Sequence, residues 1–374
     1  MAGIYIHIPF CKQACFYCDF HFSTSMVKKG EMIIALQHEL KLRKEELKDD
    51  LVETIYFGGG TPSVLASHEI EAIIESVYQH YRVSKNPEIT LEANPDDLSR
   101  NRILELAKSP VNRLSIGVQS FFEEDLKLMN RAHSAIEAEA SLSFATQHFD
   151  NISIDLIYGI PGATDAQWLQ NIEKALSFGI SHISSYALTV EPKTALAHMI
   201  EKGEVANIDE EAAERQFHLL IEVLNTKEFV HYEISNFGKE GYFSKNNTAY
   251  WQGKKYVGIG PSAHSFDGKQ RGWNVKNNTK YLKSIQSNKV PIEIEVLTIA
   301  DRYNEYVMTG LRTIWGVSIE KIAKEFGEEY SNYLIKGSSK AIAQRLLIIE
   351  NGVLKVTQKG KFLADGLAAD LFMV

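Results

Sequence analysis

Six short β-rich runs alternate with helical stretches over the first 230 residues, and no other feature narrows the fold of this 374-residue chain so far. The runs are GIYIHIPF (3–10), TIYFG (54–58), EITLEAN (88–94), RLSIGVQ (113–119), ISIDLIYG (152–159) and HISSYALTV (182–190). Between them the apolar spacing takes a helical period at roughly 31–48, 68–81, 98–108, 123–131 with 134–148, and 165–178, and a further helix is expected at about 209–226. Ile70, Ile73, Ile74 and Val77 fall on one helical face suited to packing on a sheet. Repeated βα units imply a parallel sheet with right-handed crossovers, which either a doubly wound sheet or a barrel satisfies. The position of the unusual residues separates the two. Each run ends in a polar or glycine-bearing cluster: a cysteine loop, GGGTP (58–62), EANP (92–95), GVQS (117–120), DLIYGIP (155–161) and YALTVEP (186–192). Chemistry collected at the carboxyl ends of successive strands is the layout of a TIM-like barrel. Six units predict an α/β fold with a partial (β/α)6 barrel, open on one side.

The barrel is expected to occupy residues 1–230. A glycine- and asparagine-rich stretch at 231–296 reads as an irregular linker, and 297–374 as a smaller α+β unit. Within this smaller unit a pair of helices, a hairpin around Asn351-Gly352 and a final helix are similar to a winged-helix module. Winged helices often bind DNA, but a net charge of -8, a pI near 5.9 and little positive excess in the tail argue against nucleic acid and for a packing or partner role. The segment MAGIYIHIPF lacks the pattern of a secretory signal, no run reaches 18 consecutive apolar residues, and the expected location is cytoplasmic.

All three cysteines, Cys11, Cys15 and Cys18, stand within CKQACFYC (11–18), on the loop after the first strand. Thiols so close suit a metal site in a reducing compartment better than a disulfide framework. Three thiolates can hold three irons of a 4Fe–4S cluster and leave the fourth iron open to a chelating small molecule. The alternative is a structural zinc ion on the three thiols and His21, a cramped tetrahedron for an eleven-residue stretch.

The C-x3-C-x2-C spacing, with Tyr17 just before the last cysteine, resembles the radical S-adenosylmethionine (SAM) enzymes. In that family the open iron binds the amino and carboxylate groups of SAM, and a glycine-rich segment like GGGTP meets its methionine moiety. YIHIPFC, GGGTPS, EANP, RLSIGVQSF, SIDLIYGIPG and YALTVEP extend the resemblance over nearly the whole chain, to the branch containing oxygen-independent coproporphyrinogen III dehydrogenase and the HemW-type haem chaperones. The resemblance implies SAM contacts at Tyr5, Tyr17, Gly59, Gly60, Thr61, Glu92, Gln119, Arg131, Asp155 and Ala187. The residue types suit that work: Glu92 and Asp155 accept from hydroxyls or an ammonium, Arg131 pairs with a carboxylate, and Gln119 does either. Glycines allow close backbone approach to a ligand.

Two absences favour the chaperone side of the branch over the dehydrogenase. The dehydrogenase carries a further cysteine two positions after the third, where this chain has Phe20, and an extension ahead of its first strand, which here begins by residue 3. The chaperones are marked by an H-N-x-x-Y-W segment associated with haem. Here it reads NNTAYW, with Asn246 in place of histidine, followed by Asn247, Tyr250 and Trp251. Tyr250 and Trp251 suit stacking on a porphyrin, whereas an amide replaces an imidazole poorly as an axial ligand. His231 and His264 are the substitutes nearest in sequence. The resemblance thus implies a 4Fe–4S cluster, SAM and haem as ligands, with 231–296 as the haem-facing region. It also implies a haem-accepting protein as partner, with contact to a membrane-bound haem protein no more than peripheral. Coproporphyrinogen III oxidation and a zinc-stabilised binding module are the competing readings.

Overall fold

The computed structural model describes residues 2–373. Strands β1 (Ala2–Ile8), β2 (Val52–Gly59), β3 (Val83–Ala93), β4 (Arg113–Gln119), β5 (Ile152–Tyr158) and β6 (His182–Ala187) lie side by side in chain order, all parallel. A doubly wound sheet reverses its strand order at a switch point. Here the order never reverses, so the units wind one way, into an open barrel. The crossovers carry α1 (Lys29–Leu42), α2 (Ser67–His80), α3 (Arg100–Lys108), α4 (Glu123–Leu128) with α5 (Ala135–Ala145), and α6 (Asp165–Ser177). After β6 come α7 (Ala195–Glu201) and α8 (Glu210–Asn225).

The strands alternate strictly. Ile4, Ile6, Ile8, Ile55, Phe57, Ile89, Leu91, Leu114 and Ile116 point outward and are buried with Leu36, Ile73, Val77, Ile103 and Leu142 of the helices in one core. The intervening positions, among them Tyr5, His7, Tyr56, Glu92, Ser115 and Asp155, turn inward. The barrel therefore has an apolar wall outside and a polar chamber inside.

The stretch expected to be an irregular linker is instead ordered and extends the sheet at both edges. Beside β6 run β7 (Val230–Glu233) and β8 (Asn236–Gly238), antiparallel. Beside β1 runs β9 (Lys255–Ile259), parallel, followed by antiparallel β10 (His264–Phe266), β11 (Gln270–Asn274) and β12 (Ile292–Val296), giving a sheet of twelve strands among the described residues. These strands are three to five residues long, too short to print a period. Their glycines, Gly260 and Gly268 at φ 104° and 96°, make the turns that read as irregularity. The same stretch holds α9 (Lys245–Trp251) and α10 (Asn278–Gln286).

The C-terminal unit contains α11 (Ile299–Leu311), β13 (Val317–Ser318), α12 (Ile319–Glu325), α13 (Glu328–Ala343), β14 (Leu347–Glu350), β15 (Val353–Val356) and α14 (Ala364–Ala369). Its small antiparallel sheet, in the order β13-β15-β14, closes over a separate core of Tyr303, Val307, Ile322, Leu334 and Leu354. Asn351 and Gly352 both take positive φ, 50° and 77°, as a two-residue hairpin turn requires. The arrangement is winged-helix-like. No helix among the described residues is long and apolar enough to cross a membrane.

Candidate functional site

Cys11 is buried and Cys15 and Cys18 are half-buried on the loop that leaves β1. The loop is tied to the barrel independently of any metal. Thr61 Oγ1 donates to Cys11 Sγ at 3.3 Å, Arg131 Nη1 donates to Cys15 Sγ at 3.3 Å, and Gln13 donates to Asn130 Oδ1 at 2.9 Å. Burial pushes the Cys11 thiol up to about 11 and raises Cys18, and the neighbouring thiols add to the effect at both. Such thiols give up their protons when a cation arrives. Among the described residues no three His, Cys, Asp or Glu side chains converge closely enough to hold a single metal ion. Around one zinc, at Zn–S of about 2.3 Å, tetrahedral sulfurs would be about 3.8 Å apart. A four-iron cube takes each thiolate at a separate corner and needs them wider. The set of three thiols and His21 proposed for zinc is thus not assembled among the described residues. The donor set fits a three-thiolate cluster.

The residues implied to meet SAM fall into two groups. Tyr17, Arg131 and the cysteine loop form the first: Arg131 Nη1 also reaches Tyr17 Oη at 3.4 Å, and Nη2 donates to Asn94 Oδ1 at 2.6 Å and to the Gly117 carbonyl at 2.9 Å. Arg131 is thus committed to fixing the loop on β3 and β4, and only its buried Nε lacks a partner. The second group lines the chamber. Tyr5 stacks on Tyr56 at 6.1 Å, Tyr56 Oη donates to Glu92 Oε1 at 2.8 Å, and Ser115 Oγ donates to Asp155 Oδ1 at 3.1 Å. Burial pushes Glu92 up to about 7, with the Asp155 charge adding to it, and pushes Asp155 up to about 6. No ion pair reaches either carboxylate among the described residues, so both retain acceptor capacity that ribose hydroxyls or an ammonium would use. Gln119 ends β4 at φ 68°, buried, and Ala187 ends β6, paired with Tyr158 of β5.

The glycine segment also meets a packing requirement. Gly59 sits at φ 106°, and a Cβ there would lie 2.5 Å from the His7 ring; a Cβ on Gly60 would lie 2.6 Å from the Phe10 carbonyl oxygen. The Gly60 and Thr61 amides donate to the Ile8 and Phe10 carbonyls at 2.9 and 2.7 Å. These residues are small because β1, its loop and β2 press together there, which fixes the cysteine loop at the strand ends.

The open side of the barrel is a cavity of about 690 Å³, within the range of cofactor and small-molecule sites, about 300–1,000 Å³. Tyr5, His7, Tyr56 and Tyr186 line its barrel side, Phe20 and His21 the cysteine-loop end, and Asn246, Asn247, Tyr250 and Trp251 of α9 the opposite end. Asn246 belongs to the amino-terminal ends of the strands: its Oδ1 accepts from Thr54 Oγ1 at 3.2 Å, and the Lys245 and Asn246 amides donate to Glu88, both at 3.1 Å. Trp251 has the Arg312 guanidinium 5.6 Å from its ring centre, so one face is already covered. His231 faces away from the cavity, with Nε2 3.1 Å from the Ile234 carbonyl and Nδ1 2.8 Å from Lys361 Nζ, which removes it as an axial ligand. His264 lines the cavity, where partial burial and the Arg271 charge lower it below its ordinary value and favour the neutral imidazole. Tyr56, Tyr186 and Asn94 lie within TIYFG, YALTVEP and EANP but are not among the residues implied to meet SAM; the polar half of the strands' period-2 alternation is the signal that marks the first two.

Residues 5–183 match the model of the radical SAM superfamily, and residues 297–363 match the HemN C-terminal domain. The heme chaperone HemW of Lactococcus lactis (strain IL1403) is 33% identical over 373 residues, covering 97% of this chain and 97% of that protein. HemW of Mycobacterium tuberculosis (strain H37Rv) is 31% identical over 99% of this chain and 94% of its own length. Among solved structures, the Escherichia coli coproporphyrinogen III oxidase HemN, a radical SAM enzyme, superposes with a TM-score of 0.87 over 100% of this chain and 90% of its own, at 20% identity. At that identity the likeness bears on the fold alone.

Proposed function

The chain belongs to the HemW group of the radical SAM superfamily, and from that premise we propose that it is a haem carrier: it holds one 4Fe–4S cluster on Cys11, Cys15 and Cys18, binds SAM in the barrel, and passes haem to an acceptor protein. The observation that carries this reading is the 690 Å³ cavity, which runs from the cysteine loop to the aromatic residues of α9 and has Phe20, 68% exposed, where the dehydrogenase has its extra cysteine. The cluster would supply a Lewis-acidic iron for the SAM amino and carboxylate groups. The protein's own residues do the rest: Arg131 orients the loop, and Glu92 and Asp155 offer acceptors for SAM hydroxyls or its ammonium. The winged-helix-like unit at 297–374, carrying little positive excess, is read as a packing or partner surface, and the compartment as the cytoplasm, with an acceptor at a membrane met only peripherally.

The test is anaerobic reconstitution with iron and sulfide, then haem binding and coproporphyrinogen III decarboxylation measured on one sample. About four irons per chain, saturable haem binding and no decarboxylation are expected. Stoichiometric decarboxylation, with haem bound no better than by a nonspecific control protein, would overturn the reading in favour of the enzyme.

A further inference from the structure

With Asn246 in the histidine's place and His231 engaged at both nitrogens, the haem seat has no iron ligand where the family motif puts one. The strands added beyond β1 supply another. Through the pairings Gly3↔Tyr256, Tyr256↔Phe266, Phe266↔Arg271 and His264↔Trp273, the inner face of the barrel continues onto Tyr256, His264, Trp273 and Arg271. Directly opposite residues share a face of the sheet. The chamber wall therefore turns from polar to aromatic as it crosses β1, and Tyr250 of α9 meets it with its ring centre 5.4 Å from that of Tyr256.

Three histidines line this cavity. His7 Nε2 lies 2.9 Å from the His21 carbonyl oxygen and its Nδ1 lies 3.3 Å from Tyr5 Oη. His21 Nε2 is held by Asn278. His264 alone has neither ring nitrogen in a hydrogen bond among the described residues; its only ring neighbour is Trp273, at 6.2 Å. The cations at the rim differ in the same way. Arg271 is paired with Glu305 at 3.0 Å and Lys255 with Asp50 at 3.2 Å. Lys254 and Lys276 have no carboxylate within ion-pair distance among the described residues, Lys276 donating only to the Asp19 carbonyl at 3.3 Å.

We propose that His264 is the axial ligand of the haem iron in this chain, with the ring seated between α9 and the β9–β11 face. This rests on the haem reading above. A free imidazole on an aromatic wall supplies the nitrogen that Asn246 cannot.

The test titrates full-length, anaerobically reconstituted protein with ferric protoporphyrin IX and, separately, with metal-free protoporphyrin IX. Wild type is compared with His264→Ala and His21→Ala, each first checked for cluster content and melting temperature. Loss of a ligand bond predicts that His264→Ala weakens the ferric ring at least about tenfold and loses the electron-paramagnetic signature of nitrogen ligation, which added imidazole restores. The metal-free ring, which cannot be ligated, should bind wild type and His264→Ala within about twofold. An unchanged ferric spectrum in His264→Ala, equal loss of both rings, or loss of the signature in His21→Ala instead would overturn the assignment and leave the haem reading standing. Failure of wild type to bind either ring would overturn the haem reading itself.

Discussion

At the scale of single residues, the cysteine loop and the buried acids make separable predictions. Cys11→Ser, Cys15→Ser and Cys18→Ser should each lose the cluster, because no fourth thiol exists to replace a missing leg; iron and acid-labile sulfide determinations read this, and about four irons retained in any variant would end the assignment. Gly60→Ala should destabilise the fold by about 1–3 kcal/mol even without ligand, because the new methyl meets the Phe10 carbonyl, backbone that cannot step aside; a melting temperature equal to wild type would restore a purely ligand-facing role for the segment. Glu92 sets a pH dependence. Its folded value is raised, so between about 4.3 and about 7 the folded chain keeps a proton the unfolded chain has released. That stability is complete below the lower value and is lost as pH rises through the upper one. Melting the SAM-free protein across this window should show a falling midpoint that Glu92→Gln flattens; the same slope in the variant would place the proton elsewhere. Of these features the cysteines are legible in the sequence because three soft ligands in eight positions have few other uses. The reason for the glycines is not, since a close approach between β1, its loop and β2 leaves no local signature.

At the scale of elements, legibility follows length. The strands β1 to β6 and their helices are readable because each runs through enough residues to print a period; their carboxyl-end clusters tip the reading towards a barrel, and the unreversed strand order decides it. The strands β7 to β12 are not, being short and turned by glycine, although they carry about a quarter of the residues that line the cavity. The placement of α9 is equally hidden, since it depends on Glu88, which is distant in sequence and reads there only as the start of a strand. That carboxylate takes the Lys245 and Asn246 amides and so anchors α9 under the barrel. Glu88→Ala should cost about 1–2 kcal/mol and loosen the helix. Haem affinity should fall severalfold while iron content and SAM affinity hold, and undiminished haem binding would show that α9 keeps its seat by packing alone.

At the scale of the whole molecule, the fold puts two ligand sites at opposite ends of one strand. The cysteine loop leaves the carboxyl end of β1, whereas Gly3, near its amino end, lies against Asn246 of α9. The rise from Gly3 to Ile8 alone is about 17 Å at 3.3 Å per residue, so neither ligand needs to touch the other. The coupling between them must pass through the loop 11–21, whose far end lines the cavity with Asp19, Phe20 and His21 and holds Lys276 through the Asp19 carbonyl. That loop does not depend on the cluster for its place: besides the bonds from Thr61, Arg131 and Gln13, the Cys11 amide donates to the Ser23 carbonyl at 3.1 Å and Lys12 pairs with Asp96 at 2.9 Å. A tethered loop keeps its shape when one ligand leaves, and a ligand shifts an equilibrium only by its differential affinity for two states. Cluster-free Cys11→Ser protein should therefore bind haem within about threefold of the reconstituted wild type, a coupling below about 0.7 kcal/mol. Parallel titrations of the two proteins with ferric haem decide it. A loss of tenfold or more would mean that the loop reorders with the cluster, and that haem loading in this chain is controlled from the other end of the barrel.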